Sequence, residues 1–248
     1  MADAKFARCQ AVTAKWEGGW SNHAADPGGK TMYGITEAVY HAWLRKKSRA
    51  VRPVRSISRA EAEEIYFEQY WVPSGGPTLF DGVDLATYDA SVNSGVSRGR
   101  KWLLAGLDPK NDHAQTVKNI CRQRLSFVQG LSTWKVFGRG WGNRIADIQA
   151  KGVAWAVTAM SSPEQARERL EAEAEDAERE AQRHAAGAGA SGGGAVGAGG
   201  ATQLDAGLDW RILAVIVFVA LIGAGLLFVR SRQKLAQANA YLAEADRL

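Results

Sequence analysis

Residues 212–229, "ILAVIVFVALIGAGLLFV", are eighteen consecutive residues without a charge or a strongly polar side chain. At about 1.5 Å per residue, and with Trp210 and Arg211 added at the edge, a helix of this length matches a hydrocarbon core about 30 Å thick. A buried core helix is the competing reading, but no comparable apolar helix lies nearby in the sequence to cover it. The run is therefore expected to be a transmembrane helix over 209–230, followed by a short C-terminal tail over 231–248. Asp205, Asp209 and Arg211 precede it, whereas Arg230, Arg232 and Lys234 follow. The positive-inside bias favours a cytoplasmic C-terminus, with the N-terminal domain on the far side of a single-pass span. The opening "MADAKFARCQAVTAKW" has no apolar h-region. The domain is then expected to cross by means of the C-terminal span, or to wait in the cytoplasm until the membrane fails.

The charge is unevenly divided. Residues 1–160 carry 22 Lys+Arg against 14 Asp+Glu, and residues 161–248 carry 9 against 12, so the basic excess belongs to the front part. A basic surface can attract nucleic acid, lipid headgroups or a bacterial cell wall. The chain has no RNP-like aromatic motif, no zinc-finger spacing and no bZIP heptads, so no nucleic-acid partner is expected. Cys9 and Cys121 make no CxxC and sit in apolar helical patterns, as inert buried thiols do. The four histidines form no HExxH or paired spacing, so neither a metal nor another cofactor is expected.

Two linkers separate the front domain from the apolar run. Residues 159–186 are rich in Ala, Glu and Arg, with pairs such as Glu175 and Arg179 at helical spacing. Their one large aliphatic, Leu170, cannot make a strong coiled-coil seam, so a solvated, semi-rigid helix is expected. Residues 187–208 form a Gly/Ala-rich stretch that reads as a flexible coil. The front domain is mostly helical. Phe6, Cys9, Val12 and Trp16 make one stripe that ends at Gly18 and Gly19. Ser58 and Glu61 form a capping box. Pro73, Gly75, Gly76 and Pro77 break the chain, and further helices are expected near 82–95, 97–106, 112–130 and 142–158. The fold class is α+β, mainly helical, with one small hairpin.

The hairpin belongs to "KWEGGWSNHAADPGGKTMYGIT", residues 15–36. Glycosidic cleavage needs a proton donor on one side of the bond and a carboxylate or an activated water on the other. Glu17 follows Trp16 at a predicted helix end, with Trp20 nearby, and aromatic neighbours favour a protonated carboxyl by desolvation. Asp26 lies nine positions on, where Gly28, Gly29 and Gly34 let the backbone fold back. "TMYGIT" supplies the return, and Thr31 could position a water or the sugar. The bland alternative makes Asp26 before Pro27 a turn-former and Glu17 a surface residue.

"WEGGW…DPGGKTMYGIT" resembles the signature of glycoside hydrolase family 108, the EGG-motif N-acetylmuramidases of phages and of secretion-associated lytic enzymes. "FDGVDLATYDASVNSGVSRGRKWL", residues 80–103, resembles the predicted peptidoglycan-binding region of that family, and "FGRGWGNRI", residues 137–145, is similar to its FxxGWxxR segment. The resemblance covers about residues 5–155. It implies a lysozyme-like fold, with a muramidase catalytic region over 1–75 and a helical peptidoglycan-binding region over 76–158 that completes the domain. It also implies hydrolysis of the β-1,4 bond between N-acetylmuramic acid and N-acetylglucosamine. By the same resemblance Glu17 is the catalytic acid, and Asp26 and Thr31 complete the catalytic set. Trp20 stands where the family has tyrosine and keeps an aromatic platform for a sugar, while His23-Ala24 replaces a common Asp-Pro.

Tyr88 and Asn93 are candidate substrate-cleft residues, although Asp89 and Asn93 can equally cap a helix and close a turn. Trp102, Trp134 and Trp141 read as core. Arg144 suits a buried carboxylate or the carboxyl groups of wall peptide. The expected protein is a bacterial inner-membrane peptidoglycan hydrolase of phage-type host lysis, with its catalytic domain acting in the periplasm. The alternatives are a catalytically silent wall-binding anchor and a lytic transglycosylase.

Overall fold

The computed structural model describes residues 3–22, 29–193 and 210–248, without the side chains of 189–193, 210–218 and 220. In chain order the helices are α1 (Ala4–Thr13), α2 (Glu37–Lys46), α3 (Arg59–Tyr66), the single turn α4 (Val72–Ser74), α5 (Val83–Ser94), α6 (Val96–Gly106), α7 (His113–Gln129), α8 (Trp134–Thr158), α9 (Pro163–Gly193) and α10 (Trp210–Ala245). Two short strands, β1 (Thr31–Met32) and β2 (Ile35–Thr36), pair antiparallel with Thr31 opposite Thr36 and Met32 opposite Ile35. The mainly helical α+β class with one small hairpin is what the sequence led us to expect.

Local chemistry accounts for the starts of the helices. Asp3 caps α1 by accepting from the amides of Lys5 and Phe6, and its second oxygen accepts from the Trp71 indole at 2.7 Å. α3 opens on the capping box of Ser58 and Glu61. Glu61 is also held by Tyr40 and Arg52. Burial opposes its ionisation, but the Ser58 amide, Arg52 and Tyr40 together bring its pKa down to about 2.

α5 is the central helix. Every residue from Val83 to Ser91 is buried, which is what a helix enclosed on all sides requires. It enters the core through Gly82, whose φ of 85° is in the left-handed region and where a Cβ would collide with the Gly152 carbonyl of α8. Around α5 pack Phe6, Cys9 and Trp71 from one side and Val117, Ile120, Cys121, Ile148 and Val153 from the other. Both cysteines are free and buried, as expected. Burial raises both thiols, Cys121 to about 12.

Four expectations need correction. Tyr88, expected in the substrate cleft, is fully buried: its ring packs edge-on against Phe6 and Trp71 and its hydroxyl bonds Gln10. Its position on the enclosed α5 leaves it no route to solvent. The Gly/Ala stretch is not coil from its first residue, because α9 continues to Gly193; alanine favours helix, and Gly187 lies against Leu227 of α10. The rest of the expected coil lies outside the described residues.

The charged helix is not merely solvated either. Ala166, Leu170, Ala174, Ala177 and Ala181 recur every three or four residues and are buried, a small-residue seam that faces α8 and α10. Finally, the tail over 231–248 is not free. α10 continues as helix to Ala245 and packs on α8, burying Ala238, Tyr241 and Ala245, while Gln149 donates to the Tyr241 hydroxyl at 2.8 Å. Among the described residues no helix is long and apolar enough to cross a membrane. The side chains of 212–218 and 220, eight of the eighteen in the apolar run, are not among them.

Candidate active site

Glu17 lies just beyond the turn of 3-10 helix Ala14–Trp16 that ends the first helical segment. Its backbone is extended there, with φ −87° and ψ 136°, so the chain leaves the helix axis and turns the carboxyl back toward the hairpin. The hairpin is a two-residue turn with Tyr33 at φ 51° and Gly34 at φ 73°. Two positive φ values give a turn whose twist matches the strands. The Tyr66 hydroxyl donates to the Tyr33 carbonyl at 2.7 Å and ties the turn to α3. Gly34 is then pressed against the catalytic candidate, since a Cβ on it would collide with Glu17 Oε2 and stand 2.6 Å from the Tyr66 hydroxyl.

The other carboxylate oxygen, Oε1, accepts from Arg144 Nη2 of α8 at 2.8 Å. Arg144 also bonds both oxygens of Asp89 on α5. Asp89 takes a second guanidinium, Arg124 Nη1 of α7, at 2.5 Å, and Arg124 donates onward to Asn93 Oδ1 at 3.2 Å. Glu17, Arg144, Asp89, Arg124 and Asn93 therefore form one chain of bonds across three helices, with two acids and two guanidiniums in balance. Burial works against ionising Asp89, yet Arg124 and Arg144 hold its carboxyl below the usual range. Burial and then the Glu17 charge raise both Tyr66 and Tyr70, so both stay neutral beside the site.

Among the other expected residues, Thr31 lies on β1, pairs its backbone with Ser21, and donates its hydroxyl to the Gly29 carbonyl at 3.0 Å. Trp20 is exposed, with the Arg55 guanidinium 5.3 Å from its ring centroid. Asp26 and His23 lie outside the described residues. Asn93 ends the ionic chain, and Arg144 takes the buried-carboxylate option of its two. Trp102 is core, as read, and Trp134 and Trp141 pack against the core's edge.

Arg124 escaped the sequence reading altogether. It sits on the apolar stripe of α7, in line with Val117, Ile120, Cys121 and Val128. A charge in such a stripe is a signal that a buried counter-charge exists elsewhere.

The closeness of Gly34 gives a first prediction. Gly34→Ala is expected to cost about 1 kcal/mol in stability, from the left-handed backbone, but to lower catalytic activity about 100-fold by pushing Glu17 aside. Thermal melting beside an activity assay separates the two, and full activity would show that the Glu17 carboxyl does not depend on this contact.

A mainly helical domain with a small hairpin over a glutamate at a helix end fits the lysozyme-like class. The Glycosyl hydrolase 108 family profile matches residues 10–95, the span from α1 through the hairpin to the end of α5. Among solved structures, Brucella abortus SagA aligns with a TM-score of 0.55 at 30% identity, covering 65% of this chain and 99% of SagA. No curated protein matches the chain. The chain belongs to the glycosyl hydrolase 108 family.

Proposed function

We propose that the protein is an N-acetylmuramidase that hydrolyses the β-1,4 bond between N-acetylmuramic acid and N-acetylglucosamine in bacterial peptidoglycan, in phage-type host lysis, and that the apolar run 212–229 anchors it to the inner membrane. The observation that carries the reading is the holding of Glu17: one carboxylate oxygen on Arg144, the other against Gly34, with 18% of the side chain still exposed. A glutamate that served only the surface would need neither restraint.

In this reading Glu17 protonates the leaving glycosidic oxygen, and Asp26 stabilises the developing sugar cation or directs water. Thr31, whose hydroxyl proton goes to Gly29, offers its lone pairs to that water. Trp20 stacks on a sugar ring beside the basic surface around Arg55. Asn93, exposed at the end of α5, binds a sugar amide while its Oδ1 accepts from Arg124. The wall-binding role of residues 76–158 falls to their solvent-facing side, because α5 within them is the domain's centre.

Digestion of purified peptidoglycan by the full chain tests this. New reducing ends at N-acetylmuramic acid are expected. Anhydro-muramyl products would replace hydrolysis by transglycosylation, and binding to insoluble wall without release of soluble sugar would replace both by a silent anchor.

A further inference from the structure

The stretch "FGRGWGNR", residues 137–144 in the first half of α8, carries three glycines and two aromatic rings besides Arg144, the partner of Glu17. Glycine weakens a helix interior, so three of them within five residues need a cause. Two have one in packing. A Cβ on Gly138 would lie 2.6 Å from the Trp134 ring, which folds over it, and one on Gly142 would stand 3.4 Å from Gln233 of α10. Gly140 is different, because a Cβ there would meet nothing within 4 Å.

Residues three, four and seven apart share one face of a helix. Phe137, Gly140, Trp141 and Arg144 therefore make a single lane along α8, with the Trp141 ring on one flank and the bare Gly140 on the other. At about 1.5 Å per residue, Phe137 lies about 10 Å along the helix from Arg144, the length of one disaccharide repeat in a β-1,4-linked glycan. The rings are braced from behind: Trp141 packs on the edge of the core 6.3 Å from Trp134, and Phe137 lies 5.7 Å from Trp141. Phe137 nevertheless keeps 53% of its surface exposed. The groove between α8 and α10 is a separate surface, since it takes Lys135, Arg139 and Asn143 from the other side of the helix.

We infer that Phe137 and Trp141 are a sugar-stacking platform, on which the glycan strand rests one disaccharide away from the bond that Glu17 cleaves, and that Gly140 keeps the lane open for it. The inference rests on the peptidoglycan reading proposed above and specifies where the strand lies. The C–H face of a pyranose ring is apolar and packs flat on an aromatic ring while its hydroxyls stay in water. A ring pair already braced by the core gives up little freedom when the sugar arrives. The occupant is the glycan because the lane is continuous with Arg144, whose guanidinium holds the Glu17 carboxyl at 2.8 Å. A strand long enough to fill the lane gains a contact that a short one lacks, so the platform makes recognition depend on chain length.

Binding by the full chain carrying Glu17→Gln, which leaves the bond uncut, tests the platform without relying on hydrolysis. The probes are peptide-free glycan strands prepared from purified peptidoglycan, as disaccharides and as octasaccharides. Phe137→Ala is expected to weaken octasaccharide binding about 10-fold and to leave disaccharide binding unchanged. Gly140→Leu, placed where a Cβ meets nothing and where leucine favours helix, is expected to weaken octasaccharide binding as much with no fall in melting temperature. With Glu17 restored, both losses should appear in KM for long strands and not in kcat.

Unchanged octasaccharide affinity in both variants would overturn the platform and leave the muramidase reading intact. An equal loss for both lengths would overturn it too, as the mark of a distorted site. If the chain with its platform intact binds neither glycan, the wall reading fails and takes the platform with it. Loss of binding to phosphatidylglycerol vesicles in Phe137→Ala, with glycan affinity kept, would assign the rings to a lipid surface instead.

Discussion

Glu17→Gln is expected to lower the clearing of purified cell wall by 10²-fold to 10⁴-fold, the range a positioned general acid contributes, with little change in melting temperature. Glutamine keeps the shape of the side chain, and its amide oxygen can still accept from Arg144, which bonds Oε1 at 2.8 Å. What it cannot do is give a proton to the leaving oxygen. The fold supplies the control, because Arg144 retains its bonds to Asp89 whichever residue stands at 17. A loss of activity accompanied by an equal loss of wall binding would point to positioning of the sugar instead. Clearing that persists undiminished would sink the catalytic assignment.

The hairpin shows how far the sequence could be read. "TMYGIT" displayed β-capable residues around Tyr33-Gly34, and the strands form there in the register such a turn allows. Glu17 at a helix end beside Trp16 was equally visible, because helix ends and glycines leave local marks. The contact between them is not local. It depends on Tyr66, thirty-three residues after Tyr33, and on Arg144, 127 residues after Glu17.

The same limit explains Tyr88. It lies in a polar-looking segment, "TYDASVN", whose burial shows only once Arg124 and Arg144 are seen to neutralise Asp89 from two other helices. The docked end of α10 hid for a related reason. Ala238, Tyr241 and Ala245 are a weak apolar stripe by composition, and only the alanine seam of α9 and the face of α8 make a site for them.

Removing the centre of the ionic chain is expected to have the largest effect on stability. Asp89→Ala leaves Arg124 and Arg144, whose side chains are 1% and 7% exposed, with no shared counter-charge. Breaking a buried pair by deleting one partner costs about 3–5 kcal/mol, a large share of the 5–15 kcal/mol that holds a domain together. At about 2–4 °C per kcal/mol for a chain of this size, the melting temperature should fall by roughly 6–20 °C.

The acid side gives a second signature. Asp89 is depressed in the folded state, so its contribution to stability is complete above the unfolded carboxyl value near 4 and is lost as pH falls through the folded value. Urea midpoints of the wild type should therefore drop below about pH 4, and those of Asp89→Ala should depend less on pH there. Arg144→Met separates the two jobs of the network. It leaves Asp89 paired with Arg124, so the melting temperature should fall less than in Asp89→Ala, while Glu17 loses its only ionic restraint among the described residues and wall clearing should fall about as far as in Gly34→Ala. Equal melting temperatures for Asp89→Ala and the wild type would mean that the two guanidiniums find water or other partners once the carboxylate is gone.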